Sequence, residues 1–244
     1  TSPRDVCRLS LTSSVFRSAA RSELVWERFL QPDLDAIISN SVAPVQFASK
    51  KDLFFLLSDS HILLQGGTMS FSLHKGTGKK CYMLGATELS FGRVNSGCDT
   101  CPESRCLVVI KYSPGDHIDG IEGKMETHML SPNTFYAAYF VFKLLGDKSE
   151  YYPVSATVKF IKGRHADVYD INRAYITSES SIYTPMKQYG QLARERKDGW
   201  MEIEMGGFFN GEGADGEVEM LLKGSRALRS SSTLIVQGIE LRPK

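Results

Sequence analysis

The sequence predicts an α+β protein in which a set of short N-terminal helices precedes an antiparallel β-sandwich. Three observations carry that class. In the first third, apolar residues recur at helical spacing behind recognisable cap residues. From about Lys79 onward, segments become short and alternating, and Gly, Pro, Asn and Asp punctuate them. No repeat of 20–50 residues is visible, which excludes a solenoid or propeller.

The helices are justified in chain order. Ser2 followed by Pro3 and Asp5 reads as an N-cap, a first-turn proline and an acid at the positive end of the helix dipole, with Val6 and Leu9 as the apolar face. "TSSVFRSAARS" fits a second helix with Val15, Phe16, Ala19 and Ala20 on one side, and "ELVWERFL" a third, closed by Pro32. "ASKKDLFFLLSD" fits a helix capped by Ser49, with Leu53, Phe54, Leu56 and Leu57 facing a core. "ILLQGG" and "TMSFSLHKGTG" read as a short extended segment and a turn.

The strands follow. "TFYAAYFVFKLL" places Tyr136, Ala138, Phe140 and Phe142 on one face, and "YPVSATVKFI" does the same with Val154, Ala156, Val158 and Phe160. "GWMEIEMGGFF" sets Met201, Ile203 and Met205 against Trp200, Glu202 and Glu204, and "GEVEMLL" and "STLIVQGIELRP" continue the alternation. The region from Arg164 to Leu192 reads as a long insertion between strands, rich in tyrosine (Tyr169, Tyr175, Tyr183, Tyr189) and a candidate contact surface for a target.

The 244 residues carry a net charge of +1, so no global field draws the chain to nucleic acid or to an anionic membrane. Apolar residues make up 42 %, enough for a packed core, and the longest apolar runs are too short to span a bilayer. The opening "TSPRDVCRLS" is polar, unlike a secretory signal, and reads like the interior of a helical unit whose first helix is absent. Five cysteines in such a chain fit reduced thiols better than a disulfide framework.

"SPRDVCRLSLTSSVFRSAARSELVWERFL" resembles the second and third helices of a plant F-box. "KKCYML", "ATELS", "LSPNTFYAAYFVFK", "DGWMEIEMGGFFN", "GEVEM" and "LIVQGIELRPK" follow in that order. Together they resemble the F-box proteins of the phloem-protein-two type B group, whose second domain is similar to the tobacco jasmonate-inducible lectin. The resemblance covers nearly the whole chain and implies three regions: a partial F-box at 1–32, a helical linker at 33–78, and a jelly-roll-like lectin-type sandwich at 79–244. It implies a non-catalytic substrate receptor of a Skp–cullin–F-box ubiquitin ligase, working in cytoplasm and nucleus without a cofactor. A Skp-type adaptor and a cullin would be its partners, with a protein or glycoprotein as target. Val6, Leu9, Val15, Phe16, Trp26 and Phe29 are the expected adaptor-side residues. The family's Leu-Pro-containing first F-box helix has no counterpart in this sequence.

The lectin relatives imply an alternative, recognition of N-acetylglucosamine oligomers or N-glycan cores. Their sugar site has tryptophans after the "LS" pair, in a pattern like I-x-W-G with another Trp a few residues on. Here that stretch is "LSFGRVNSGCDTCPESR", with Phe91 in the first Trp position and no aromatic in the second. Sugar rings stack their C–H faces on flat aromatic surfaces, so the exchange bears directly on binding. The candidate carbohydrate set is Phe91, Trp200, Glu202, Glu204, Glu217 and Glu219, although alternation by itself predicts a solvated face for each glutamate.

Other motifs carry less. Cys98-x-x-Cys101 with Cys106 offers three thiols where zinc needs four ligands, and Pro102 opposes a redox helix, so a surface loop is the better reading. "HKGTGKK" lacks the first Gly of a phosphate loop and reads as a turn, while "NGEGADGE" breaks the calcium ligand series at Ala214 and reads as a hairpin connection. "RERK" at Arg194–Lys197 reads as a solvated loop. No nucleophile–base pair, metal set or cofactor loop points to an enzyme.

Overall fold

The computed structural model describes residues 2–92, 98–146, 151–162, 165–177, 190–211, 216–225, 227–229 and 231–244. Five short helices come first. In α1 (Pro3–Leu9) a capping box closes on itself: the Ser2 hydroxyl accepts from the Asp5 amide, and the Asp5 carboxylate accepts from the Ser2 amide at 2.8 Å. Serines also cap α2 (Ser14–Ala19) and α5 (Lys50–Asp59) through their side chains. The helices α3 (Glu23–Glu27) and α4 (Leu34–Ser39) lie between them.

Helices this short are marginal alone. Trp26 supplies the missing free energy. It is buried, its indole N–H donates to the Ala20 carbonyl at 2.7 Å, and its ring lies 5.2 Å from both Phe54 and Phe55 of α5. The Glu23 carboxylate also accepts from the Lys50 amide at 2.9 Å, so α3 holds the start of α5.

Among the described residues fifteen strands follow. They are β1 (Ile62–Leu64), β2 (Met69–Leu73), β3 (Lys80–Gly85), β4 (Ser90–Phe91), β5 (Cys98–Thr100), β6 (Val108–Tyr112), β7 (Ile121–Glu126), β8 (Thr134–Leu145), β9 (Tyr151–Lys162), β10 (His165–Thr177), β11 (Gln191–Leu192), β12 (Arg194–Glu195), β13 (Met201–Asn210), β14 (Glu217–Gly224) and β15 (Thr233–Pro243). One sheet runs β1–β2–β3–β15–β8–β13–β12, with β6 also on β15 and β5 on β6; the other runs β11–β10–β9–β14–β7–β4. All pairs are antiparallel except β10–β11. The chain changes sheet at each step from β7 to β9 and from β13 to β15, as a jelly roll does and a meander does not. No helix among the described residues is long and apolar enough to cross a membrane.

The alternations read from the sequence are the inner faces. Tyr136, Ala138, Phe140 and Phe142 of the first sheet meet Val154, Ala156, Val158 and Phe160 of the second in one core. That core continues into the helices: Trp26, Leu34, Leu53, Phe54 and Leu57 are contiguous with Phe71, Leu73 and Tyr82, and α5 lies on β2. An ion pair and a close backbone approach reinforce the junction. Lys80, with 4 % of its side chain exposed, pairs with Asp33 at 2.5 Å. Gly78 sits at φ +72° in the β2–β3 turn, where a Cβ would lie 2.6 Å from the Phe29 carbonyl oxygen.

Three expectations are corrected. The sheet begins at Ile62 rather than at residue 79, because β2 pairs with β3 along its full length. The expected insertion opens as β10, a thirteen-residue strand paired with β9 through a bulge at Val168–Asp170. That bulge breaks the alternation, which hides the strand from a period-two reading. Tyr183 and Tyr189, and the side chain of Tyr169, lie outside the described residues. Finally, β13 and β14 belong to different sheets and do not pair as a hairpin, and residues 212–215 of the expected hairpin connection lie outside the described residues.

Candidate functional site

Trp200, Glu202 and Glu204 face outward from the first sheet, as their spacing requires, but they do not face solvent. The segment around β5 folds over Trp200, arginines close over Glu202, and Glu204 is left half-buried beside Lys244. Cys106, Val109, Met83, Val141, Ile235 and Trp200 form a second, smaller apolar core on the outside of this sheet, with Cys101 packed against it. Trp200 is fully buried there. Its indole N–H donates to the Glu103 carbonyl at 3.2 Å, and the Lys143 ammonium lies 4.8 Å from its ring centroid. A ring so enclosed cannot stack on a sugar, so Trp200 leaves the carbohydrate set. The cysteine-rich loop is likewise structural: it is the cover of this small core. Burial pushes the Cys106 thiol up to about 11, so it stays protonated. Among the described residues no cluster suited to a metal ion is present.

Beside Trp200 lies a charged network built from residues far apart in sequence. Glu240 accepts from Arg105 at 2.5 Å, from Arg196 at 2.6 Å and from Arg242 at 3.1 Å. Glu202 accepts from Arg196 at 2.9 Å and from Arg242 at 2.7 and 2.9 Å. Burial works against ionising Glu240, but Arg105, Arg196 and Arg242 outweigh it and hold the carboxyl near about 2. Arg242 also stacks on Tyr139, 3.6 Å from the ring centroid. Arg196 of the "RERK" stretch, expected in solvent, is therefore an internal cation with 9 % of its side chain exposed. The chain turns there, with the Arg196 amide donating to the Trp200 carbonyl at 2.7 Å.

The four glutamates do not form one site. Glu204 pairs with Lys244 at 2.5 Å and shares β13 with Glu202. Glu219 pairs with Lys159 at 3.1 Å, and Glu217 approaches Lys124 at 4.0 Å, both from β14 in the other sheet. The two pairs thus lie on opposite outer faces of the sandwich. Phe91 on β4 is half-buried, packed on the main core with its ring 6.0 Å from Tyr112. It joins none of the other five.

The helical set divides in the same way. Val6 and Trp26 are buried and Phe29 is half-buried, so these are core residues of the helical unit. Leu9, Val15 and Phe16 are exposed, at 42, 75 and 48 %, together with Leu11 at 80 % and Leu24 at 72 %. Sequence reasoning missed Leu11 and Leu24 as surface residues and missed Arg105, Glu240 and Arg242 altogether. The alternation of "GIELRPK" does place Glu240 and Arg242 on the outer face, but nothing in it signals that Arg105 crosses to meet them.

The Phloem protein 2 family matches residues 79–243. Over the whole chain there is 33 % identity to the F-box protein PP2-B7 of Arabidopsis thaliana, covering 80 % of that protein. F-box protein PP2-B10 of the same plant is 34 % identical with 88 % of its length covered, and F-box protein SKIP3 is 32 % identical with 83 % covered. Among solved structures, the CBM22-1 xylan-binding domain from Paenibacillus barcinonensis Xyn10C is similar at a TM-score of 0.36 and 12 % identity, over 64 % of this chain and 85 % of that one. The chain belongs to the Phloem protein 2 family, as a plant F-box protein of the PP2 type.

Proposed function

We propose that the chain is the non-catalytic substrate receptor of a Skp–cullin–F-box ubiquitin ligase of the cytoplasm and nucleus, its helices docking on the Skp-type adaptor and its sandwich holding the target. The observation that carries this reading is the exposed apolar surface of α1–α3. Leu9 and Phe16 line a pocket of about 500 Å³ with Val6, Val25 and Phe29, and Leu11, Val15 and Leu24 of the same helical unit are also exposed. Large apolar side chains gathered on one small helical unit mark a protein interface. The relatives' shared description as F-box proteins supports it. The test is retention of the chain by immobilised Skp-type adaptor. Val15→Glu with Phe16→Glu is expected to abolish retention while tryptophan fluorescence reports an unchanged fold. Failure of the adaptor to retain the parent chain, or equal retention of the variant, counts against the reading.

The alternative, a lectin for N-acetylglucosamine oligomers, rests on Phe91, the one aromatic of the candidate set that is not fully enclosed. Saturable heat on titration with such oligomers, lost in Phe91→Ala, would favour it over a protein-reading sandwich.

A further inference from the structure

The outer face of the six-stranded sheet carries two kinds of cation. Toward the β14 N-terminus, Lys159, Glu219 and Lys124 lie in one row across β9, β14 and β7, and both lysines engage the glutamate, at 3.1 and 3.5 Å. Four residues along β9 the pattern changes. Arg173, Ser155 and Lys223 lie in one row across β10, β9 and β14, and no carboxylate stands among them. Among the described residues neither Arg173 nor Lys223 has an ion-pair or hydrogen-bond partner for its side chain. Both are exposed, and both line a pocket of about 210 Å³ with Ser155, Tyr175, Pro153 and Ser225.

Strand spacing sets the two cations roughly 10 Å apart at the backbone, with a hydroxyl midway. Side chains of that length converge on a single anion between them, which the serine hydroxyl can also reach. The charges decide which anion. A carboxylate or sulfate ester neutralises one cation, whereas a phosphate monoester carries about −1.5 to −2 at neutral pH and neutralises both. A second pocket, of about 610 Å³, begins at the same Arg173 and runs past Gly190, Gln191 and Leu192 to Arg194 at the sheet edge. A free phosphate has no use for that extension; a polypeptide does. Tyr175, set edge-on to Tyr151 at 5.9 Å, walls the site on the other side.

We propose that the Arg173–Ser155–Lys223 row is a binding site for a phosphorylated serine or threonine side chain of a target polypeptide, whose flanking residues lie along the edge groove. This deepens the reading of the sandwich as the target-holding half of the receptor and rests on it. The adaptor experiment above and the one below use different partners and different variants of the chain, so either can fail without the other.

The probe is a degenerate peptide pool centred on phosphoserine, compared with the same pool unphosphorylated, by fluorescence anisotropy on the full chain. The phosphorylated pool is expected to bind at least tenfold more tightly, with affinity falling as salt is raised. Arg173→Gln and Lys223→Gln are each expected to weaken it about tenfold. Lys159→Gln, a paired cation of the same face, is expected to leave it unchanged. Because these side chains are exposed, thermal melts of the variants should match the parent. Equal binding of both pools overturns the proposal, as does equal binding by the Arg173→Gln/Lys223→Gln double variant. A separate arm titrates inorganic phosphate and N-acetyl-phosphoserine amide. Saturable binding of these with no preference for the phosphorylated pool also overturns it, assigning the site to a free phosphate.

Discussion

Exchange of Glu240 for glutamine probes the charged network most directly. The carboxylate receives three guanidinium groups, Arg105 at 2.5 Å, Arg196 at 2.6 Å and Arg242 at 3.1 Å, with 6 % of its side chain exposed. Its pKa stands at about 2 against an ordinary 4.5. At about 1.4 kcal/mol per unit this is a preference for the ionised form of about 3 kcal/mol, with little solvent to screen it. Glutamine preserves shape and one acceptor but removes the charge and turns an N–H₂ toward the guanidiniums. The expected loss is about 3 kcal/mol, at the lower end of what breaking a buried ion pair costs. Because the folded pKa is depressed, the contribution is complete above about 4.5 and vanishes as pH falls toward about 2. Urea unfolding followed by tryptophan fluorescence should show the variant about 3 kcal/mol less stable at neutral pH, or roughly 6–12 °C lower in Tm. The gap should close between pH 4.5 and about 2. A variant within about 0.5 kcal/mol of the parent at neutral pH, or a gap that does not change with acid, would refute the reasoning.

Trp200→Ala empties the small outer core and is expected to cost about 3–5 kcal/mol, with faster amide exchange at Val109 and Cys106 than at Phe140; equal exchange across all three would contradict the assignment. Gly78→Ala places a Cβ against the Phe29 carbonyl at positive φ, so a loss of about 1–3 kcal/mol is expected by chemical denaturation, and a neutral result would show that the turn relaxes. Cys106, buried and held protonated by a pKa of about 11, is expected to resist iodoacetamide at neutral pH until urea unfolds the chain, as peptide mass mapping can follow.

Much of the fold was legible because alternation is a direct image of a half-buried strand. Tyr136 to Phe142, Val154 to Phe160 and Met201 to Met205 each named their own inner face. Ser2 and Ser49 marked helix starts because a cap is a local event. What failed was non-local. A strand is read as solvated on its outer face only if nothing folds over it, and whether residues 98–107 cover Trp200 depends on contacts about a hundred residues away in sequence. The same limit hid the meeting of Arg105 with Glu240 and left Trp26 among the expected adaptor-side residues, when its partners lie in a helix two elements on. The glutamates were placed on the correct faces, but face alone does not say that β13 and β14 belong to opposite sheets. Which cations of the second sheet find a carboxylate among the described residues was equally invisible, since the difference is a matter of register across three strands.

The core that runs unbroken from Trp26 to Tyr82 has a mechanical consequence. With α5 packed on β2 in one core, Lys80 paired to Asp33 across the junction and Gly78 admitting the Phe29 backbone, helices and sandwich are expected to tumble as a single particle with one rotational correlation time, as NMR relaxation can check. Whatever grips the helices therefore sets the heading of every sandwich loop, and a torque applied at one end is delivered undiminished to the other.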